Sequence, residues 1–379
     1  MLKRLTVFIV ATLAVLPLSL QAQNLNRIAI PDVGGYLTLK CDLHVHTVFS
    51  DGEVWPIFRV QEAAVEGLDA IAITDHVEYQ PKGEYVSKDR NASFRIAQPA
   101  AADAGLILIP GAEITRKMPP GHLNAIFVQD ANALAKETWQ EAVDEAAKQG
   151  AVIFWNHPGW EGQQPDKVAR WYDEHTYLHE KGLLAGMEVA NHTEYYPDVL
   201  TWCLEKKCAI LGNSDTHAPI EFEFHGDTEY PRPMTLVFAT ERSAAAIKEA
   251  ILARRTAVKR GDELIGEDQW LKRIFESSIS FNTRTVTLQG RGRILLRVAN
   301  NSDIPYTLVR VAPDTNIQFP REIKLGAGQT ALVSIRARTD SLSLSRPVTV
   351  EYDVTNLHVG AGKEMRYPLT LQVDARPKK

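Results

Sequence analysis

The segment Asp42-Leu43-His44-Val45-His46-Thr47 closes an apolar run, and residues two apart on a strand project to the same face. Two imidazoles side by side at a strand end make half of a metal site. A solvated surface pair is the plain alternative. Asp51 follows in the turn sequence Ser50-Asp51-Gly52. Further runs end in Thr74-Asp75-His76, in Pro110-Gly111-Ala112-Glu113 and in Asn156-His157-Pro158. Another ends in Asn213-Ser214-Asp215-Thr216-His217, again with two ligand-type residues on one face, and Gly121-His122 precedes a run of its own. Each piece alone has an ordinary explanation. The set does not, because it gathers six of the eleven histidines beside Asp51, Glu113 and Asp215. Acidic groups clustered in this way repel one another unless cations neutralise them. The chemistry implied is that of a divalent metal centre.

The elements that must carry these residues alternate along the chain. Strand-like runs are expected at Leu37–Val45, Ala70–Thr74, Leu106–Ile109, Leu123–Val128, Ala151–Trp155, Gly186–Ala190, Ala209–Leu211 and Thr235–Ala239. Helices are expected at Ile57–Glu66, Trp139–Gln149, Asp166–Glu180, Asp198–Lys206 and Ser243–Ala253. Continuous apolar strands alternating with helices argue for a buried parallel sheet, and seven or eight such units close into an α/β barrel or nearly so. Active sites of such barrels assemble at the carboxyl ends of the strands, which is where these residues fall. From about Ser278 the pattern changes to short alternating segments separated by turn clusters such as Asn300-Asn301-Ser302-Asp303, the signature of an all-β sandwich. That part holds one histidine, His358, and no cysteine; packing or stabilisation is its expected role.

Lys3 and Arg4 followed by the apolar run Leu5–Leu20 and the small residue Ala22 describe a secretory signal peptide over residues 1–22, and hence a periplasmic or secreted protein with no membrane span after cleavage. The expected division is a metal-binding domain over 23–265 and a β-sandwich-like domain over 266–379. The net charge is −5, and −7 without Lys3 and Arg4. A mildly acidic chain with no basic run is ill suited to holding long nucleic acid by its backbone. Three cysteines make no disulfide framework; Cys41 reads as buried filler, and Cys203 and Cys208 are near enough in sequence to be tested as a pair.

The ordered series His44-x-His46, Asp51, Thr-Asp-His76, Gly-x-Glu113, Gly-His122, Asn-His157-Pro and Ser-Asp215-x-His217 resembles the PHP family, named for polymerase and histidinol phosphatase. The export signal, the stretch from Glu113 to His122 and the β-rich tail resemble, within it, a secreted bacterial branch of organophosphate phosphodiesterases. The resemblance implies a distorted seven-stranded α/β barrel with two or three divalent metals. It implies that His44, His46, Glu113 and Asp215 hold one cation, that a bridging Glu113 joins His122 and His157 on a second, and that Asp51, His76 and His217 hold a third. Some relatives carry a histidine in place of Asp51. Ligands without thiolate suit Mn2+, Zn2+ or Fe2+.

The expected reaction is metal-dependent hydrolysis of a small phosphoester, most readily a phosphodiester, with water activated between two cations and His44, His46, Glu113, Asp215 and His217 at its centre. Phosphomonoester hydrolysis uses the same motifs, whereas a nuclease role sits poorly with the acidic balance and a non-catalytic metal scaffold poorly with the full ligand set. Arg116 and Lys117 are candidates for the phosphate oxygens, since a guanidinium meets them as a fork. Asn191, His192, Glu194, Tyr195 and Tyr196 are candidates for a substrate wall, and His225 for a leaving-group acid. His175 and His179, one helical turn apart, read as a solvated helix face, and Trp155, Trp160 and Trp171 as packing.

Overall fold

The computed structural model describes residues 28–224 and 232–378; the expected signal peptide and His225 lie outside the described residues. The first domain contains β1 (Leu37–Val45), α1 (Pro56–Val65), β2 (Ala70–Ile73), α2 (Ala92–Ala104), β3 (Ile107–Ile114), β4 (Leu123–Ile126), α3 (Trp139–Lys148) and β5 (Val152–Trp155). It continues with α4 (Asp173–Glu180), β6 (Gly186–Asn191), β7 (Glu194–Tyr195), α5 (Pro197–Lys206), β8 (Ala209–Asn213), α6 (Ile220–Glu223), β9 (Pro233–Ala239), α7 (Ala244–Leu252), β10 (Thr256–Arg260) and β11 (Glu263–Gly266). Helix α2, for which the sequence pattern gives no signal, contains Pro99 and buries mainly alanines; the expected helix over 166–180 is confined to α4.

The sheet runs β9-β1-β2-β3-β4-β5-β6, with β8 beside β6. It is mixed rather than all-parallel. β1, β2 and β3 are mutually parallel, as are β5, β6 and β8, but β4 is antiparallel to both its neighbours and β9 is antiparallel to β1. β8 returns to β1 through a single bridge, Val45 to Thr216, and not through a ladder. Side chains complete that seam, where Asn213 Oδ1 accepts from Leu43 N at 2.9 Å and Asp42 Oδ1 from Ser214 N at 3.1 Å, and Thr235 Oγ1 on β9 accepts from Gly212 N at 3.0 Å. Arg59 ties it from outside by donating to the carbonyls of His46, Thr216, His217 and Ala218.

Leu39, Cys41 and Leu43 face one core with Ala70, Ala72, Ile109 and the buried face of α7, whereas Val45 packs with α1 and α2. The pairing of β1 with β2 gains one residue between Asp42 and Val45. Such a bulge changes which face the following side chains occupy. It lies immediately where His44 and His46 leave the sheet.

Helix α8 (Asp268–Ser278) leads into the second domain, a sandwich of β12 (Ile279–Phe281), β13 (Thr285–Gln289), β14 (Arg293–Asn300), β15 (Tyr306–Arg310), β16 (Ile317–Gln318), β17 (Glu322–Leu325), β18 (Thr330–Ala337), β19 (Leu344–Gly360) and β20 (Lys363–Arg376). One sheet is built on β13, β20, β19, β15 and β17, and the other on β12, β14, β18 and β16. β19 also pairs in parallel with β11, Leu264 opposite Leu357, so one apolar core runs from Ile71 and Phe238 to Val350 and Leu371. Among the described residues no helix is long and apolar enough to cross a membrane. Cys41, Cys203 and Cys208 are buried free thiols.

Candidate metal centre

All nine side chains expected as ligands gather at one mouth of the first domain. The direction of β4 explains the position of His122. Because β4 is antiparallel, its first residue, Leu123, pairs with Ile114 and with Trp155, so the residue before it opens at the same rim where β3 and β5 end.

At the deepest point, Nε2 of His44 and Nε2 of His46 lie 3.1 Å apart, and each is 3.0 Å from Oδ1 of Asp215. Glu113 places Oε1 3.6 Å from His44 and Oε2 3.6 Å from His46. Donors bound at about 2.0–2.2 Å to a common cation stand roughly 3.0–3.5 Å apart, so these spacings match a shared ion. Oε1 of Glu113 is also 3.0 Å from Nδ1 of His122 and 3.5 Å from Nε2 of His157. A third group lies nearer the opening, where Oδ1 of Asp51 is 3.3 Å from Nε2 of both His76 and His217, and Nδ1 of His76 is 2.5 Å from Glu113. His44, His46 and Glu113 are fully buried, whereas the Asp51 and His217 side chains are 28% and 36% exposed.

The donor set fits divalent cations. Oδ1 of Asp51 and Oε2 of Glu113 are buried and form no well-directed hydrogen bond, with the imidazoles of His76 and His217 as their close neighbours, an arrangement that a shared cation would satisfy. Burial would raise the Glu113 pKa, but His76, His122 and His44 hold it well below the usual carboxylate range. Burial works against charge on His76 and His217 too, yet Glu113 and Asp51 push His76 up to about 10, and Asp51 and Asp215 push His217 up to about 9. Burial, with His217 and His76 beside it, pulls His46 down to about 4. His157 (φ 30°) and Asp215 (φ 53°) occupy the left-handed region, which stores backbone strain at the site.

Buried partners absent from the sequence-based site orient these ligands. Glu188, fully buried on β6, takes Nδ1 of His44 at 2.9 Å and Nδ2 of Asn213 at 2.9 Å on Oε1, and His157 N and Asn191 Nδ2 on Oε2. Ser50 Oγ links Nδ1 of His46 at 3.2 Å to Asp75 at 2.8 Å. Asn156 Nδ2 donates to Glu113 at 2.7 Å. The available signal was a charged residue inside an apolar strand, most clearly Glu188 in Gly186-Met187-Glu188-Val189-Ala190.

A cavity of about 370 Å³ opens over the ligands, walled by Trp160, Glu161, Lys167, Asn191, His192 and Glu194. Other expected substrate residues stand elsewhere. Arg116 pairs with Glu78 at 2.9 Å and donates to the carbonyls of Lys136 and Glu137. Lys117 lines a neighbouring groove. Tyr195 turns its ring toward His358, and Tyr196 bonds to Glu194. His175 is not on a solvated face. It is fully buried, stacked on Trp155 with ring centroids 3.7 Å apart, and its Nε2 meets Pro120 O at 2.7 Å. Trp171 packs beside that pair.

Comparison with known proteins agrees with this geometry. The PHP domain profile matches residues 42–119, and an Ig-like domain profile matches residues 279–370. The crystal structure of a two-domain protein from Bacteroides vulgatus, described as containing a predicted PHP-like metal-dependent phosphoesterase, is 41% identical, with a TM-score of 0.86. The alignment covers 91% of this chain and 98% of that one. A curated, uncharacterised protein of Methanocaldococcus jannaschii is 29% identical over 192 residues, 48% of this chain and 83% of the relative. With the ligand-type residues gathered at one rim and the Bacteroides structure matching 91% of the chain at 41% identity, the chain belongs to the PHP family.

Proposed function

We propose that the enzyme hydrolyses small phosphodiesters after export to the periplasm or beyond. The observation that carries the diester reading is the charge of the cavity wall. Facing the ligands are Glu161 and Glu194, and Lys167 is shared between them at 2.9 and 3.6 Å. A monoester dianion entering here meets two carboxylates and a lysine already paired with both. A singly charged diester is repelled less.

His44, His46, Glu113 and Asp215 would hold one cation, Glu113, His122 and His157 a second, and Asp51, His76 and His217 a third; Mn2+, Zn2+ and Fe2+ suit these donors. Such ions supply Lewis acidity to the attacking water and to the phosphoryl oxygens. The chain's own part is positioning. Glu188 holds His44 with Nε2 inward, Ser50 and Asp75 orient His46, and Asn156 fixes the Glu113 carboxylate. Trp160, with its ring centroid 5.2 Å from that of His157, screens one side from water.

Metal analysis of purified protein, followed by assay of bis(p-nitrophenyl) phosphate beside p-nitrophenyl phosphate, tests the reading. The expected result is bound divalent metal and a kcat/KM at least tenfold higher on the diester. A preference for the monoester would overturn it and favour a phosphomonoesterase on the same centre.

A further inference from the structure

Trp160 and His122 form a shared wall between the cavity over the ligands and a second one of about 450 Å³, lined by Arg116, Lys117, Gly162 and Gln163. Nothing in the proposed hydrolysis uses this groove. Two of its polar groups, on Gln163 and Lys117, have no protein partner among the described residues. Gln163 donates Nε2 to Arg116 O at 2.8 Å, which fixes the amide and leaves Oε1 buried with no donor. Lys117 is exposed, and its ammonium has no ion-pair partner among the described residues, in contrast to Arg116, which Glu78 holds. The indole between the cavities is pinned: a Cβ on Gly162 would stand 2.5 Å from Cζ2 of Trp160, so the ring lies directly against that backbone.

We infer that this groove is a subsite for a hydroxyl-bearing alcohol arm of the substrate, such as a glyceryl or sugar arm; the inference rests on the phosphodiesterase reading. A diester carries two arms, and an arm crossing the indole passes from the ligands into the groove. There a hydroxyl donates to Gln163 Oε1, a second hydroxyl oxygen accepts from Lys117 Nζ, and the C–H faces pack on Trp160. A plain alkyl arm leaves the buried Gln163 Oε1 unpaired, which is how a site built for hydroxyls discriminates, while Lys117 adds a donor that only a hydroxyl arm can use.

The test uses the full chain loaded with Mn2+ and two matched esters, glyceryl p-nitrophenyl phosphate and propyl p-nitrophenyl phosphate. The expected result is at least a tenfold higher kcat/KM for the glyceryl ester, carried by KM. Lys117→Ala and Gln163→Leu should each reduce that ratio at least threefold. Because Lys117 is exposed, its variant reads the subsite even if the Gln163 substitution disturbs the loop. Equal rates on the two esters, or a preference that Lys117→Ala leaves intact, would overturn the subsite while the phosphodiesterase reading stands. Hydrolysis of neither ester would remove both.

Discussion

Nδ1 of His44 lies 2.9 Å from Oε1 of Glu188, and both side chains are fully buried. The contact fixes the imidazole with its other nitrogen toward Asp215 and His46, and it places a negative charge behind the ligand. Carboxylates in this position raise ligand basicity and set ring orientation.

Glu188→Gln should therefore lower metal affinity about 10- to 100-fold. The amide has one acceptor oxygen in place of two, so His44, Asn213, Asn191 and the His157 N–H compete for it. Competition with a chelator measures the effect. An unchanged dissociation constant would show that the contact is only packing.

Asp215→Asn should reduce turnover at least tenfold at saturating metal, about 1.4 kcal/mol in the barrier, with little effect on thermal stability. Its carboxylate stands at a strand end beside both His44 and His46, where loss of charge weakens the pull on a bound ion. His179→Ala is the control, since His179 lies partly exposed on α4. His175 cannot serve, because its removal would leave Pro120 O and the Trp155 face without their partner. Equal rates in Asp215→Asn and His179→Ala would displace the site.

Metal uptake should release protons. His76 and His217, pushed up to about 10 and about 9 by neighbouring carboxylates, carry protons at pH 7 in the metal-free protein. A ring nitrogen must be neutral to bind a cation, so each ligation displaces a proton and apparent affinity rises with pH until the two rings lose their protons, at about 9 for His217 and about 10 for His76. Calorimetric titration in buffers of different ionisation enthalpy reads the number released. A value of zero would show that these rings do not become ligands.

The two domains should melt together. Phe275 on α8 is fully buried, with ring centroids 4.9 Å from Tyr306 and 4.8 Å from Tyr367. Phe275→Ala should cost about 3–5 kcal/mol and leave a single calorimetric transition. Two separated transitions would mean that the shared core is not cooperative. Removing the chain after Ser278 should destabilise the first domain, because β11 loses its pairing with β19.

The amino-acid sequence by itself determined the ligand types and the strands that end in them. Apolar runs of strand length closed by His, Asp or Glu are local patterns, and β1 and most later strands fall where those patterns lie. The break at Ser278 was legible for the same reason, since alternation gives way to a different period there. Tertiary structure decided what depends on neighbours distant in sequence. The antiparallel course of β4 carries His122 to the common rim, and strand direction leaves no mark in composition. Glu188 and His175 could be placed only once folding surrounded them, one with donors from four residues and the other with Trp155 and Pro120. Arg116 sits close to Glu113 in sequence, yet Glu78 captures its guanidinium, because a charged side chain pairs with whatever opposite charge the fold brings nearest.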